Sequence, residues 1–191
     1  CEYTGVPRDR DVYIVDFQTG HFLSNQAGIV KQGYALKLAI RRVLAATGAD
    51  NVMLLGHSMG GLAIREYLQN PSNWQADGQH HVAKMATIGT PHRGSNTTSF
   101  NLISFTGLNE NSEAVRDLRT SYTFSNCVRG NENIPCPGVY LWGGQESLSW
   151  MRTNALGESN FHNIDVNCNG IVGDNVVGLN QKSLRIWILP V

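Results

Sequence analysis

The segment NVMLLGHSMGGLAIREYLQN, residues 51–70, constrains this 191-residue chain more than any other. Its first five residues are a short apolar run with the character of a strand buried on both faces. The run meets Gly56-His57-Ser58-Met59-Gly60-Gly61 and passes at once into LAIREYLQN, a helical pattern that stops before Pro71. A strand that becomes a helix over so few residues bends sharply. Such a bend holds Ser58 in a strained backbone conformation with its hydroxyl projecting from the end of the sheet. Gly56 and Gly60 suit the bend, because side chains there would collide with neighbouring backbone. The Met59 N–H falls at the helix start, where unsatisfied donors and the helix dipole favour a developing oxyanion. A G-x-S-x-G pattern alone occurs by chance; between a strand and an amphipathic helix it marks a serine nucleophile.

The rest of the chain repeats the alternation. DVYIVDF (11–17) is a β-branched and aromatic run that reads as a strand. From Gly28 to Ala46, Val30, Tyr34, Leu38, Ala39 and Val43 recur at helical spacing, and Gly48 stands at a C′ position. VAKMATI (82–88) is a further strand and runs into GTPHRGS (89–95); SEAVRDLR (112–119) is a short helix capped by Ser112. Strand patterns return at VYLW (139–142) and LRIWIL (184–189). Alternating strands and helices predict one α/β domain over 1–191, with a mostly parallel sheet and helices on both faces.

Fifteen Lys+Arg balance fifteen Asp+Glu, so the chain lacks the basic footprint of a nucleic-acid partner. No apolar stretch approaches the roughly 20 residues of a membrane-spanning helix. With 16% charged and 41% hydrophobic residues, the composition is that of a globular domain rather than a disordered one. Cys1, Cys127, Cys136 and Cys168 contain no Cys-x-x-Cys pair, which argues against a zinc ribbon or a thioredoxin-like site. Cys127 and Cys136 bracket the loop VRGNENIP, short enough to staple with a disulfide, and the even cysteine count fits an exported, extracellular protein. The N-terminal CEYTGVPRDR has no apolar signal core, so a signal segment has been removed or the chain begins part-way through a longer protein.

DVYIVDF, NVMLLGHSMGGLAIREYL and ATIGTPHRGS together resemble the secreted bacterial lipase/esterase branch of the α/β-hydrolases. The resemblance covers residues 1 to about 125 well and the remainder loosely. It implies a carboxylic-ester hydrolase in which Ser58 forms an acyl-enzyme and the Met59 N–H binds the oxyanion, with no cofactor and with a small ester or lipid as substrate. The segment after TPHRGS, residues 95–126, would be a lid or substrate-binding insertion, and His92 and Arg93 would brace the loop rather than catalyse.

A serine hydroxyl needs a base, and the base needs a carboxylate to hold its tautomer. Asp174, in GDNVVGLNQKS, resembles the family's Asp-Gly-x-Val segment, with Asn175 in place of glycine; Asp165 and Glu146 are rivals. None of His21, His57, His80, His81, His92 and His162 follows Asp174. Ser58, Glu146 and His162 would satisfy the family's chain order, yet His162 precedes the LRIWIL strand where the family's histidine follows the last strand. The family's His-Gly segment, source of a second oxyanion donor, has no counterpart before DVYIVDF. These two gaps predict a chain truncated at both ends, its base beyond Val191. They also predict an incomplete sheet, with DVYIVDF and NVMLL unpaired or newly adjacent, or with a strand re-paired beside NVMLL. Finally, DVNCNGIVGD (165–174) resembles the start of a calcium loop but has Val176 where a carboxylate is expected, so an Asx/Gly-rich turn competes with a structural calcium site. The alternative to an enzyme is a non-catalytic α/β-hydrolase-like binding domain that retains Ser58 without its base.

Overall fold

The computed structural model describes residues 10–17, 27–92, 112–118, 156, 158–164 and 185–191. In chain order the elements are β1 (Tyr13–Asp16), α1 (Ile29–Thr47), β2 (Val52–His57), α2 (Gly60–Gln69), β3 (Val82–Ile88), α3 (Glu113–Leu118), β4 (Phe161–Ile164) and β5 (Arg185–Pro190). Short 3₁₀ turns occupy Pro71–Asn73 and Glu158–Asn160. The five strands form one sheet in the order β1-β5-β2-β3-β4.

β2, β3 and β4 are parallel neighbours, whereas β5 runs antiparallel to both β1 and β2. The sheet is therefore mixed, which corrects the expectation of a mostly parallel one. β1 and β2 are neither unpaired nor adjacent: β5 lies between them, pairing Ile186 with Gly56 and Ile188 with Tyr13 and Leu54. LRIWIL is thus the strand paired beside β2. An apolar run with Ile186 and Ile188 buried on one face and Trp187 half-buried on the other suits a central position. Beyond it Val191 exchanges two backbone hydrogen bonds with Asn51, at 2.8 and 3.1 Å.

Helices on both faces are expected; among the described residues, the two long helices share one face. Leu36, Ile40 and Val43 of α1 share a core with Ile64, Tyr67 and Leu68 of α2, over Val15, Leu54, Met85, Ile186 and Ile188 of the sheet. The face of α1 differs from the expected stripe: Tyr34 is 53% exposed, while Ile29, Gln32, Gly33, Leu36 and Ile40 are buried. The reason lies at the crossing with α2. A Cβ on Gly33 would strike the Glu66 side chain and come within 3.2 Å of the Tyr67 amide, so the helix turns its smallest residue inward and Tyr34 outward. α1 ends as predicted, with Gly48 left-handed at φ 73° and its N–H on the Leu44 carbonyl.

β4 has no counterpart in the sequence reading, and the expected strand at 139–142 lies outside the described residues. α3 matches its predicted span, and the Val115 N–H donates to Ser112 Oγ at 3.2 Å.

At the far end of the sheet from Ser58, His81 enters β3 with φ 54°. Its Nδ1 lies 2.6 Å from the Asp50 carbonyl and its Nε2 2.7 Å from Asp77 Oδ2. Two acceptors facing both ring nitrogens require both to be donors, the imidazolium form. The Asp50 carbonyl first, and Asp77 second, accordingly raise the His81 pKa above the usual histidine value. A raised folded-state value means that this contribution to stability is present below the unfolded pKa and fades as pH rises through the folded one. In an NMR titration of the His81 ring, we expect a midpoint above 6.5. Asp77→Asn should bring it part of the way back, since the Asp50 carbonyl remains; an unmoved midpoint would show that Asp77 plays no part.

Candidate active site

β2 carries its ladder with β3 one residue past its own end: the Ser58 N–H donates to the Ile88 carbonyl at 2.9 Å. The chain then reverses. Ser58 has φ 53°, a left-handed conformation that a residue with a Cβ adopts at a cost. Met59 is already right-handed helical, and the Gly61 N–H closes the turn on the Ser58 carbonyl at 3.1 Å. This is the sharp, strained strand-to-helix turn that the motif predicts, with Ser58 half-buried at its apex.

Crowding that demands glycine is seen at Gly56, as expected, and also at Gly61. A Cβ on Gly56 would lie 2.7 Å from both Cα and N of Gly61, and 2.8 Å from Ile64 Cδ1. A Cβ on Gly61 would run into Thr90 Oγ1 and come within 2.9 Å of Thr87 Cγ2. Gly61 lies just outside the five-residue pattern, so the sequence reading did not single it out; the doubled glycine after Met59 was the available signal.

Met59 is buried, and among the described residues its N–H has no hydrogen-bond acceptor. It stands at the start of a ten-residue helix whose residues are all buried, where backbone donors lack intrahelical partners. Burial on every side of α2 includes Arg65 and Glu66. Desolvation lowers the Arg65 pKa to about 10, with Glu66 opposing it. Arg65 Nε donates to Gln69 Oε1 at 3.0 Å, and its Nη1 donates to the His92 carbonyl at 3.0 Å. The His92 ring in turn sits 3.0 Å from Thr87 Oγ1 through Nε2. His92 is a brace, as the sequence predicts: it ties the loop after β3 to the helix behind the elbow. Arg65, the other half of this tie, was not anticipated.

Among the described residues, no side chain hydrogen-bonds the Ser58 hydroxyl. His162 is exposed on β4, paired with Ala86 and separated from β2 by β3, hence roughly 10 Å away in sheet spacing. Two strand ends do converge on the Ser58 end of the sheet. β4 closes with Ile164 opposite Ile88, and β5 opens beside Gly56. Asp174, Asp165, Glu146, Arg93, the four cysteines and the calcium-like loop all lie outside the described residues, as does the expected insertion 95–126 apart from 112–118. Among the described residues no group of three His, Cys, Asp or Glu could hold a metal ion, and no helix is long and apolar enough to cross a membrane.

A strained serine between a buried strand and a buried helix, on a sheet backed by helices, defines the α/β-hydrolase fold. The chain belongs to the PGAP1-like alpha/beta domain family, whose model matches residues 6–129. It is 46% identical over 69 residues to a triacylglycerol lipase of Pseudarthrobacter phenanthrenivorans, a match covering 36% of this chain and 19% of the relative. A triacylglycerol lipase of Burkholderia plantarii is also 46% identical over 69 residues, 36% of this chain and 17% of that protein. The chain thus spans less than a fifth of these relatives' length. A crystal structure of a Bacillus licheniformis lipase in its mature form aligns over 52% of this chain and 40% of its own, with 24% identity and a TM-score of 0.43.

Proposed function

We propose that the chain is a serine carboxylic-ester hydrolase acting on small ester or lipid substrates, and that it works outside the cell. The observation that carries this reading is the left-handed backbone of Ser58 at the mouth of α2, supported by the triacylglycerol lipases it resembles. Ser58 Oγ attacks the ester carbonyl and gives its proton to a histidine base, itself oriented by the Asp174 carboxylate. The carbonyl oxygen becomes an oxyanion on the Met59 N–H. The C–O bond to the alcohol then breaks, and the alcohol leaves with the proton held by the base. Water repeats the sequence on the acyl-enzyme, releasing the acid and restoring Ser58. A Cys127–Cys136 disulfide would suit the extracellular setting.

The absence of any partner on the Ser58 hydroxyl among the described residues favours one other reading, a binding domain that keeps the elbow without a base. A fluorophosphonate separates the two. Stoichiometric labelling of the folded chain, lost in Ser58→Ala, supports the hydrolase and means that a working base lies within these residues. Labelling that survives in the mutant overturns Ser58 as the nucleophile, and none at all in the folded chain supports the reading of an elbow without its base.

A further inference from the structure

α1 begins without a cap of its own: Gly28 stands at the N-cap, and the first turn holds no acidic residue. Its first donors are met from far along the chain. Glu113 Oε2 accepts from the Gly28 N–H at 2.9 Å, and Asp117 Oδ2 accepts from the Ile29 N–H at 3.1 Å. Both carboxylates belong to α3 and lie one helical turn apart, so a single face of α3 presents them together. Each has its own cation: Lys31 Nζ donates to Glu113 at 2.7 Å, and Arg116 donates to Asp117 Oδ1 at 2.9 and 3.0 Å. The match is close enough that a Cβ on Gly28 would lie 2.9 Å from Asp117 Oδ2.

The other side of α3 is apolar and faces the elbow. Ile29, Met59, Leu62, Ala114, Val115 and Leu118 form one buried cluster, separate from the main core. Met59 thus shares a buried cluster with α3, while its amide, one residue after Ser58, has no acceptor among the described residues. A side chain locked by packing fixes the backbone that carries it.

We propose that α3 is a clamp that positions the Met59 amide for oxyanion binding: Val115 and Leu118 hold the Met59 side chain, and Glu113 and Asp117 anchor α3 to the start of α1. This rests on the serine-hydrolase reading given above. The four α3 side chains are positioning residues, since none reaches the reacting atoms. Acting through the amide, they affect the step in which negative charge develops more than the binding of a neutral ester. Displacing an oxyanion donor without removing it costs on the order of 10- to 100-fold in rate.

The test uses the full chain with Leu118→Ala, Leu118→Met and Glu113→Gln, two measurements being made on each. Amide exchange by mass spectrometry follows the elbow (residues 56–64), with β3 (82–88) as the internal control. Phosphonylation by a p-nitrophenyl alkylphosphonate follows Ser58 through release of p-nitrophenolate. Leu118→Ala is expected to exchange on the order of tenfold faster at the elbow with β3 unchanged, and to react 10- to 100-fold more slowly. Leu118→Met should restore both, and Glu113→Gln should move both in the direction of Leu118→Ala by less. The clamp is overturned if elbow exchange does not respond, if elbow and β3 loosen together, or if faster exchange leaves the reaction rate unaltered. A folded wild-type chain that resists the phosphonate shows that no base acts on Ser58 within these 191 residues, and overturns the clamp's catalytic purpose there.

Discussion

Ser58→Gly is expected to melt higher than the parent chain while losing its reactivity altogether. A residue with a Cβ held at φ 53° carries roughly 1–2 kcal/mol of local strain, which glycine does not. Glycine returns part of that gain through the greater freedom of its unfolded chain, so about 1 kcal/mol should remain. For a chain of this length that corresponds to ~2–4 °C in melting temperature. Ser58→Ala is the informative companion, because it removes the hydroxyl and keeps the Cβ. It should lose reactivity equally, on the order of a millionfold where the serine is the nucleophile, without the gain in stability. Calorimetry on the three chains decides the matter. Equal melting temperatures for the glycine and alanine variants would mean that Ser58 sits unstrained in solution.

The second large effect lies at Gly56. Here Gly56→Ala is expected to destabilise the fold by about 2–4 kcal/mol, more than most single methyl additions. The new carbon would lie 2.7 Å from two backbone atoms of Gly61. Neither partner can retreat cheaply. β2 is held between β5 and β3, and α2 is buried on all sides. Of the three nearest atoms, Ile64 Cδ1, at 2.8 Å, belongs to a side chain able to rotate away. Adding Ile64→Val should therefore recover little. Urea denaturation with an unchanged m-value would measure the loss directly. Full recovery by Ile64→Val would show that a side chain, not the Gly61 backbone, sets the limit.

How much of this could be read from the residues differs from element to element. The elbow, α2 and β3 were legible because local pattern and tertiary demand coincide there: VAKMATI becomes a strand over its whole predicted length. The buried face of α1 was not, because Tyr34 is apolar enough to join a stripe while the crossing with Glu66 selects Gly33. β4 reads FHNI, four residues with two polar side chains, and becomes a strand by pairing with β3. The position of β5 was equally hidden. Apolar side chains on both faces say that a strand is interior, and nothing in LRIWIL states its direction or its neighbours. The carboxylate caps on α1 come from residues 85 and 88 positions away, beyond any local capping rule. Within the candidate site, Ser58 and Met59 follow from the motif, whereas Gly61 and Arg65 needed the packing of Thr90 and His92 against α2 to become visible.

The place of β5 also has a kinetic meaning. Its partner β2 lies more than a hundred residues earlier in the chain, so their pairing is among the most non-local in the fold. Closing so long a loop costs entropy before any contact rewards it, and topologies of this kind fold slowly. During synthesis β2 can join β3 soon after both leave the ribosome, but its other edge has to wait for residues 185–190. Through that interval one side of the strand leading to Ser58 offers open hydrogen-bonding groups beside apolar side chains, the condition under which a nascent chain pairs with the wrong partner. A chaperone that recognises extended apolar segments would therefore have a long opportunity at NVMLL, the segment on which the elbow is built.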